Sequence, residues 1–332
     1  MKLFFLIIFM NVCVFIGSST VKSQTKYLHS DSINVLSYNI NLEITDFTGN
    51  SIKGYTRLII VPKIDNLDMV TLDLLHLNVD SVFLGFGPVI NYTYNDTLLH
   101  IPLFTPASLS DTLLVNIYYH GVPVVDPTGW GGFYFQSNVA FNLGVGMGDY
   151  PHCYGRVWFP CVDDFIERAK YDFYITVTSD KMAVCGGLLQ SVVYNTDSTK
   201  ATYNWRLNNE IPSYLASVAV GKFECVSFSY PGLLDTIPVN IYTRPSDTTN
   251  AIHSFTNIIS ALQIFESRFG PFRWPRAGYV EVPFAGGSME HATNIAYPQY
   301  AVDGSLIYEL LYVHELSHNW FRNLVTDRKS VV

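Results

Sequence analysis

Apolar and polar residues alternate with a period of two through the first two thirds of the chain, and the period then lengthens. Tyr38, Ile40, Leu42 and Ile44 form one alternating run, and Tyr171, Phe173, Ile175 and Val177 form another. Successive side chains of a strand point to opposite faces, so each run predicts a strand with one face buried. Shorter runs of the same kind fall at 58–61, 70–77, 113–119, 202–207 and 214–220. Turn formers such as Asp65-Asn66, Gly85 to Pro88 and Asn195 to Asp197 separate them. No stretch here has a convincing helical period. Residues 24–222 are therefore expected to form an antiparallel β domain, a sandwich or a curved saddle.

From Pro245 onward the apolar spacing becomes three and four. Ile252, Phe255, Ile258, Ile259, Leu262, Phe265 and Phe269 predict a helix of about five turns, closed by Gly270-Pro271. Residues 279–282 read as a strand, and 292–297 as a second one. Another three-and-four row runs from Leu306 through Ile307, Leu310, Leu311, Val313, Leu316, Trp320 and Phe321 to Leu324 and Val325. Ser305 is its expected N-cap, after an Asp303-Gly304 turn. This second part is α/β.

The 332 residues are 48% hydrophobic, 15% aromatic and 14% charged, which suits a well-packed protein long enough for two domains. Part of that hydrophobicity sits at the start. Lys2 precedes an apolar run from Leu3 to Ile16, and small residues follow up to Ser23, the pattern of a signal peptide over residues 1–23. The run is short for spanning a bilayer, so export to a periplasmic or extracellular space is expected, without stable membrane insertion after cleavage. Cleavage removes Lys2 and Lys22 and no acid, so the formal charge of −8 becomes −10. Such an acidic protein offers no basic stripe for nucleic acid. Cys153, Cys161, Cys185 and Cys225 remain, and four cysteines allow two disulfides in three connectivities.

The chemistry lies in the last predicted helix, at His314-Glu315-Leu316-Ser317-His318. Two imidazoles four residues apart project from one side of a helix and can grip one zinc ion. The carboxylate between them points to one flank, where it can act as a base towards water activated by the metal. A core helix with two hydrogen-bonded histidines is the plainer reading. A glutamate directly after the first of two histidines at ligand spacing counts against it. A catalytic zinc wants three protein ligands, and the residues after His318 contain a single acid, Asp327.

Phe284-Ala285-Gly286-Gly287-Ser288-Met289-Glu290-His291 precedes that motif, and Asn319-Trp320-Phe321-Arg322-Asn323-Leu324-Val325-Thr326 continues it. With Trp158-Phe159-Pro160-Cys161-Val162-Asp163, these segments resemble the aminopeptidase N family of gluzincin zinc metallopeptidases. The resemblance covers nearly the whole mature chain. It implies a β domain over 24–222 and, over 223–332, the first part of a thermolysin-like catalytic domain. It also implies that His314 and His318 bind one zinc ion and that Glu315 is the general base. Glu290 would bind the free α-amine of a peptide, and Gly287 and Ser288 would line the edge that holds the substrate backbone. A buried carboxylate paired with an ammonium rejects an internal peptide bond, so the expected substrates are peptides with a free N-terminus.

Three departures from the family pattern stand out. His291 replaces an asparagine and Arg322 replaces a glycine. The family's third zinc ligand is a glutamate about nineteen residues beyond the second histidine, which falls past Val332. The chain is accordingly read as truncated after the zinc-motif helix and expected to be inactive alone. The alternative is a non-catalytic exported binding module with a degenerate peptidase remnant. A thermolysin-type endopeptidase is disfavoured because Glu290 would block the N-terminal side of the cleft.

Overall fold

The computed structural model describes residues 29–324 apart from Asp149 and Pro151. The leader assigned to residues 1–23 and the segment 325–332 lie outside the described residues. A seven-stranded sheet carries most of the β-rich part. In spatial order its strands are Leu188–Tyr194, Lys200–Ile211, Ala169–Thr178, Ile33–Asp46, Ser51–Pro62, Leu113–Gly121 and Asn78–Leu84. Its neighbours pair antiparallel except at the centre, where Ile33–Asp46 and Ala169–Thr178 run parallel with Tyr38 opposite Tyr171 and Ile40 opposite Phe173. That register turns both period-two rows to the same side. All eight of their apolar residues are buried. The parallel join departs from the antiparallel expectation because it unites strands far apart in sequence, which no local alternation encodes.

Two smaller sheets cover the buried side. One comprises Met182–Cys185, Val218–Gly221, Val139–Leu143 and Gly132–Gln136; the other comprises Leu67–Asp73, Leu98–Ala107 and Thr93–Tyr94. The Trp158-Phe159 pair fills the gap between layers. The Trp158 ring lies 6.4 Å from Phe173 on the large sheet and 6.4 Å from Phe133 on a small one, and Phe159 meets Tyr38 edge-on at 5.5 Å. A loop driven into a core must satisfy its own backbone. Here Val162 donates its N–H to Tyr38 Oη (3.0 Å), Trp158 accepts at its carbonyl from Tyr119 Oη (3.0 Å), and Asp163 donates its N–H to Asp73 (3.0 Å). Asp163 in turn accepts from Ser213 Oγ at 2.6 Å. The expected strand at 214–220 is therefore shortened. Its first residues form a 3-10 turn, Ser213–Leu215, and only Val218–Gly221 is extended.

A fourth sheet, Glu224–Pro231, Thr236–Thr243, Ala277–Val282 and Ile295–Pro298, begins the α/β part. Its last three strands run parallel, and every residue of Ala277–Val282 is buried, as befits a parallel strand covered on both faces. Three helices accompany it: α1 (Thr248–Ser254), α2 (Ile258–Phe269) and α3 (Glu309–Phe321). The single helix expected over 252–269 is thus broken at residues 255–257. The break places Phe255 among the rings of Tyr279, Tyr297 and Tyr312, at 4.9, 5.2 and 4.9 Å. Gly270, at φ 88°, closes α2 as anticipated. Cys153, Cys161 and Cys185 are buried free thiols, and Cys225 is an exposed one. No helix among the described residues is long and apolar enough to cross a membrane.

Candidate metal and amine site

Helix α3 buries Tyr312, Glu315, Leu316, Asn319 and Trp320, three and four residues apart, and exposes Leu310, His314 and Phe321. Tyr279 Oη donates to the Tyr312 carbonyl (2.8 Å), Trp274 Nε1 to the Asn319 carbonyl (2.9 Å) and Trp320 Nε1 to the Gly270 carbonyl (2.8 Å). These bonds fix the helix against the parallel sheet and the end of α2. Its start differs from expectation. The first helical residue is Glu309, not one next to Ser305, whose hydroxyl accepts the Ile307 N–H at 3.2 Å in a local turn. The apolar residues Ile307 and Leu310, counted as part of the buried row, are 78% and 82% exposed.

On the side of α3 that carries them, His314 Nε2 and His318 Nε2 stand 3.2 Å apart with their rings nearly perpendicular. Two nitrogens each about 2.0–2.1 Å from a tetrahedral zinc lie roughly 3.3–3.4 Å from one another, so the pair fits one ion. Burial also holds the His318 imidazole below its ordinary pKa, which keeps it in the neutral form that a metal requires. Glu315 is 5% exposed. Burial first, and the Glu290 carboxylate second, push its carboxyl up to about 8, while Arg322 opposes them. A nearby cation would draw that value back down.

Glu290 comes from the loop between Ala277–Val282 and Ile295–Pro298. Ligand atoms of Glu290, Glu315 and His318 all lie within 4.8 Å of one another. The Glu290 carbonyl accepts from Asn323 Nδ2 at 3.1 Å, and its carboxylate lies 3.3 Å from Arg322 Nε. The neighbouring residues divide. Ser288 turns its hydroxyl inward onto the Ala296 carbonyl (2.8 Å), so only its backbone remains for a ligand. Gly287 sits at φ 139°, and a Cβ there would come within 3.0 Å of the Trp130 indole. That position admits glycine alone without strain. Trp130 and Phe284, whose rings meet at 5.0 Å, wall this side of the loop; Phe284 opens the resembled segment, whereas nothing in the local pattern marks Trp130. A surface concavity of about 570 Å³, lined in part by Tyr55, Tyr118 and Tyr174, lies on the open face of the seven-stranded sheet and shares no residue with this site.

His291 ties the loop to the β-rich part. It is fully buried and accepts at Nε2 from the Gly144 N–H at 3.2 Å. Burial pushes its pKa down to about 3 from 6.5. A depressed value means that the folded protein keeps His291 neutral while the unfolded chain takes up a proton. The associated stability is complete above pH 6.5 and is lost as pH falls towards 3. Going from pH 7 to pH 5 is expected to remove about 2 kcal/mol through this residue. In His291→Asn that part of the loss disappears. Urea midpoints of both proteins at the two pH values check it; an identical pH response would exclude His291 as the source.

No protein-family model matches the chain. Among curated proteins it is similar to leukotriene A-4 hydrolase of Xenopus laevis, with 22% identity over 311 residues that cover 91% of this chain and 49% of that protein. It is also similar to the puromycin-sensitive aminopeptidase of Caenorhabditis elegans, with 26% identity over 184 residues covering 52% of this chain and 19% of the relative. Among solved structures, the M1 zinc metallopeptidase of Deinococcus radiodurans superposes with a TM-score of 0.77 at 19% identity, over 90% of this chain and 66% of that one. A mutant of that enzyme bound to a Tyr-Ser-Ala substrate gives 0.79. The chain therefore has the fold of the M1 zinc metallopeptidases, a β-rich region followed by the start of their α/β region. It spans about half the length of the leukotriene A-4 hydrolase it matches, and about a fifth of the aminopeptidase.

Proposed function

We propose that this chain carries the metal- and amine-binding residues of a zinc aminopeptidase of the aminopeptidase N type, exported by the leader over 1–23 and acting on peptides with a free N-terminus. The observation that carries the reading is the convergence of two imidazole nitrogens, 3.2 Å apart, beside two buried carboxylates. His314 and His318 would hold the ion. Zinc so held supplies Lewis acidity towards a scissile carbonyl and acidifies water at the site.

The protein's own residues do the rest. Glu315, one residue from the first histidine and shielded from solvent, takes the proton of the attacking water and returns it to the leaving amine. Glu290 receives the terminal ammonium and sets the first peptide bond over the histidines. Gly287 leaves room for the substrate backbone beside Trp130.

An amino-acid hydroxamate, which joins a free α-amine to a metal-binding group, tests this assignment. Calorimetry is expected to show binding that requires zinc and weakens severalfold when the amine is acetylated or when Glu290 becomes Gln. Equal affinity for free and acetylated forms would sink the amine assignment.

A further inference from the structure

Arg322 stands beside Glu290, the group assigned to the substrate ammonium. Its Nε lies 3.3 Å from Glu290 Oε1, and the two side chains are only 22% and 9% exposed. Both ends are anchored. The Arg322 N–H bonds the His318 carbonyl at 3.0 Å, and the next residue, Asn323, bonds the Glu290 carbonyl. Asn323 is itself held at its carbonyl by Arg168 Nη2, at 2.6 Å. The guanidinium is thus delivered to the carboxylate by backbone, not by a wandering surface side chain. The contact is an ion pair, and a cation that reaches the Glu290 carboxylate more directly competes with it. Its role is clear from the neighbouring charges. Ligand oxygens of two carboxylates, Glu290 and Glu315, lie within 4.8 Å of one another, and Arg322 brings a cation against the first of them.

We propose that Arg322 is a built-in competitor for the amine site and a determinant of specificity: it holds Glu290 against a simple ammonium and favours N-terminal residues that carry an anionic side chain. The proposal rests on the reading of Glu290 as the amine-binding group. A bare ammonium entering the site meets a fixed positive charge a few ångströms away, in surroundings too dry to screen it. An N-terminal glutamate or aspartate brings both charges, the ammonium for Glu290 and a carboxylate for the displaced guanidinium. Arg322 would then act on recognition as a specificity residue, with no part in moving protons.

Binding of three probes to the full chain in zinc-containing buffer tests this: L-leucinamide, L-glutamic acid α-amide and N-acetyl-leucinamide. The native protein is expected to prefer the glutamic acid amide over leucinamide by about tenfold. Arg322→Gly should reverse this, with leucinamide gaining about tenfold and the glutamic acid amide losing its advantage. Arg322→Gln, which keeps much of the stem, guards against a folding defect, and its unfolding midpoint should match the native one. Equal leucinamide affinity in native and Arg322→Gln proteins, with acetyl-leucinamide still excluded, would overturn the proposal and leave the amine assignment standing. Acetyl-leucinamide binding as tightly as leucinamide, or no amide binding to any of the proteins, would overturn both.

Discussion

His318→Ala is expected to weaken zinc binding to this chain by about 10²-fold or more, and His314→Ala by a similar factor. Four-ligand structural zinc sites are worth roughly 10–16 kcal/mol, so one ligand is worth on the order of 3 kcal/mol. The geometry sharpens the expectation, because a second donor set competes with the histidine pair. Glu290, Glu315 and His318 also bring ligand atoms within 4.8 Å of one another. Both sets contain His318, and only one contains His314. Cobalt absorption titrations and zinc competition on the two histidine variants and on Glu315→Gln separate them. With the histidine pair as ligands, Glu315→Gln leaves affinity within about threefold of native while His314→Ala collapses it. The reverse pattern would move the metal onto the carboxylates and remove Glu315 from its role as base.

How much of this was legible before any coordinates depends on how local each cause is. Period-two strands such as the one around Tyr38 to Ile44 were visible because one face is buried and the other is not. Their parallel partner was not, since register between distant strands is decided by the shared core. In α3 the ligand spacing was readable from sequence, yet the assignment of its buried face was only partly right. Counting apolar residues put Ile307 and Leu310 inside, whereas the chain buries Glu315 and Asn319 and leaves those two in solvent on the histidine side. Composition cannot tell a core stripe from an apolar stripe that surrounds a site. Ser305 misled because a hydroxyl before a helix serves a turn as readily as a cap. The Arg322–Glu290 pair left a faint trace, a charged residue where the resembled pattern has glycine, but only the fold shows which acid it meets.

Trp158→Ala is expected to destabilise the protein by about 3–5 kcal/mol, enough to threaten folding in a domain of ordinary stability. The indole is fully buried between the seven-stranded sheet and the small sheet that contains Phe133, touching Phe133, Phe159 and Phe173. No single neighbour can move to close the hole, because Phe159 is held against Tyr38 and Tyr171 and the strand carrying Phe173 is central. The indole N–H, however, finds no acceptor among the described residues. Trp158→Phe therefore removes an unsatisfied donor as it removes volume, and is expected to cost only about 1–2 kcal/mol. Urea unfolding of the three proteins decides, with m-values unchanged and midpoints in the order native, Phe, Ala. Equal losses for both substitutions would mean that the N–H is bonded after all, and a negligible loss for alanine would mean that the two layers are not joined through this ring.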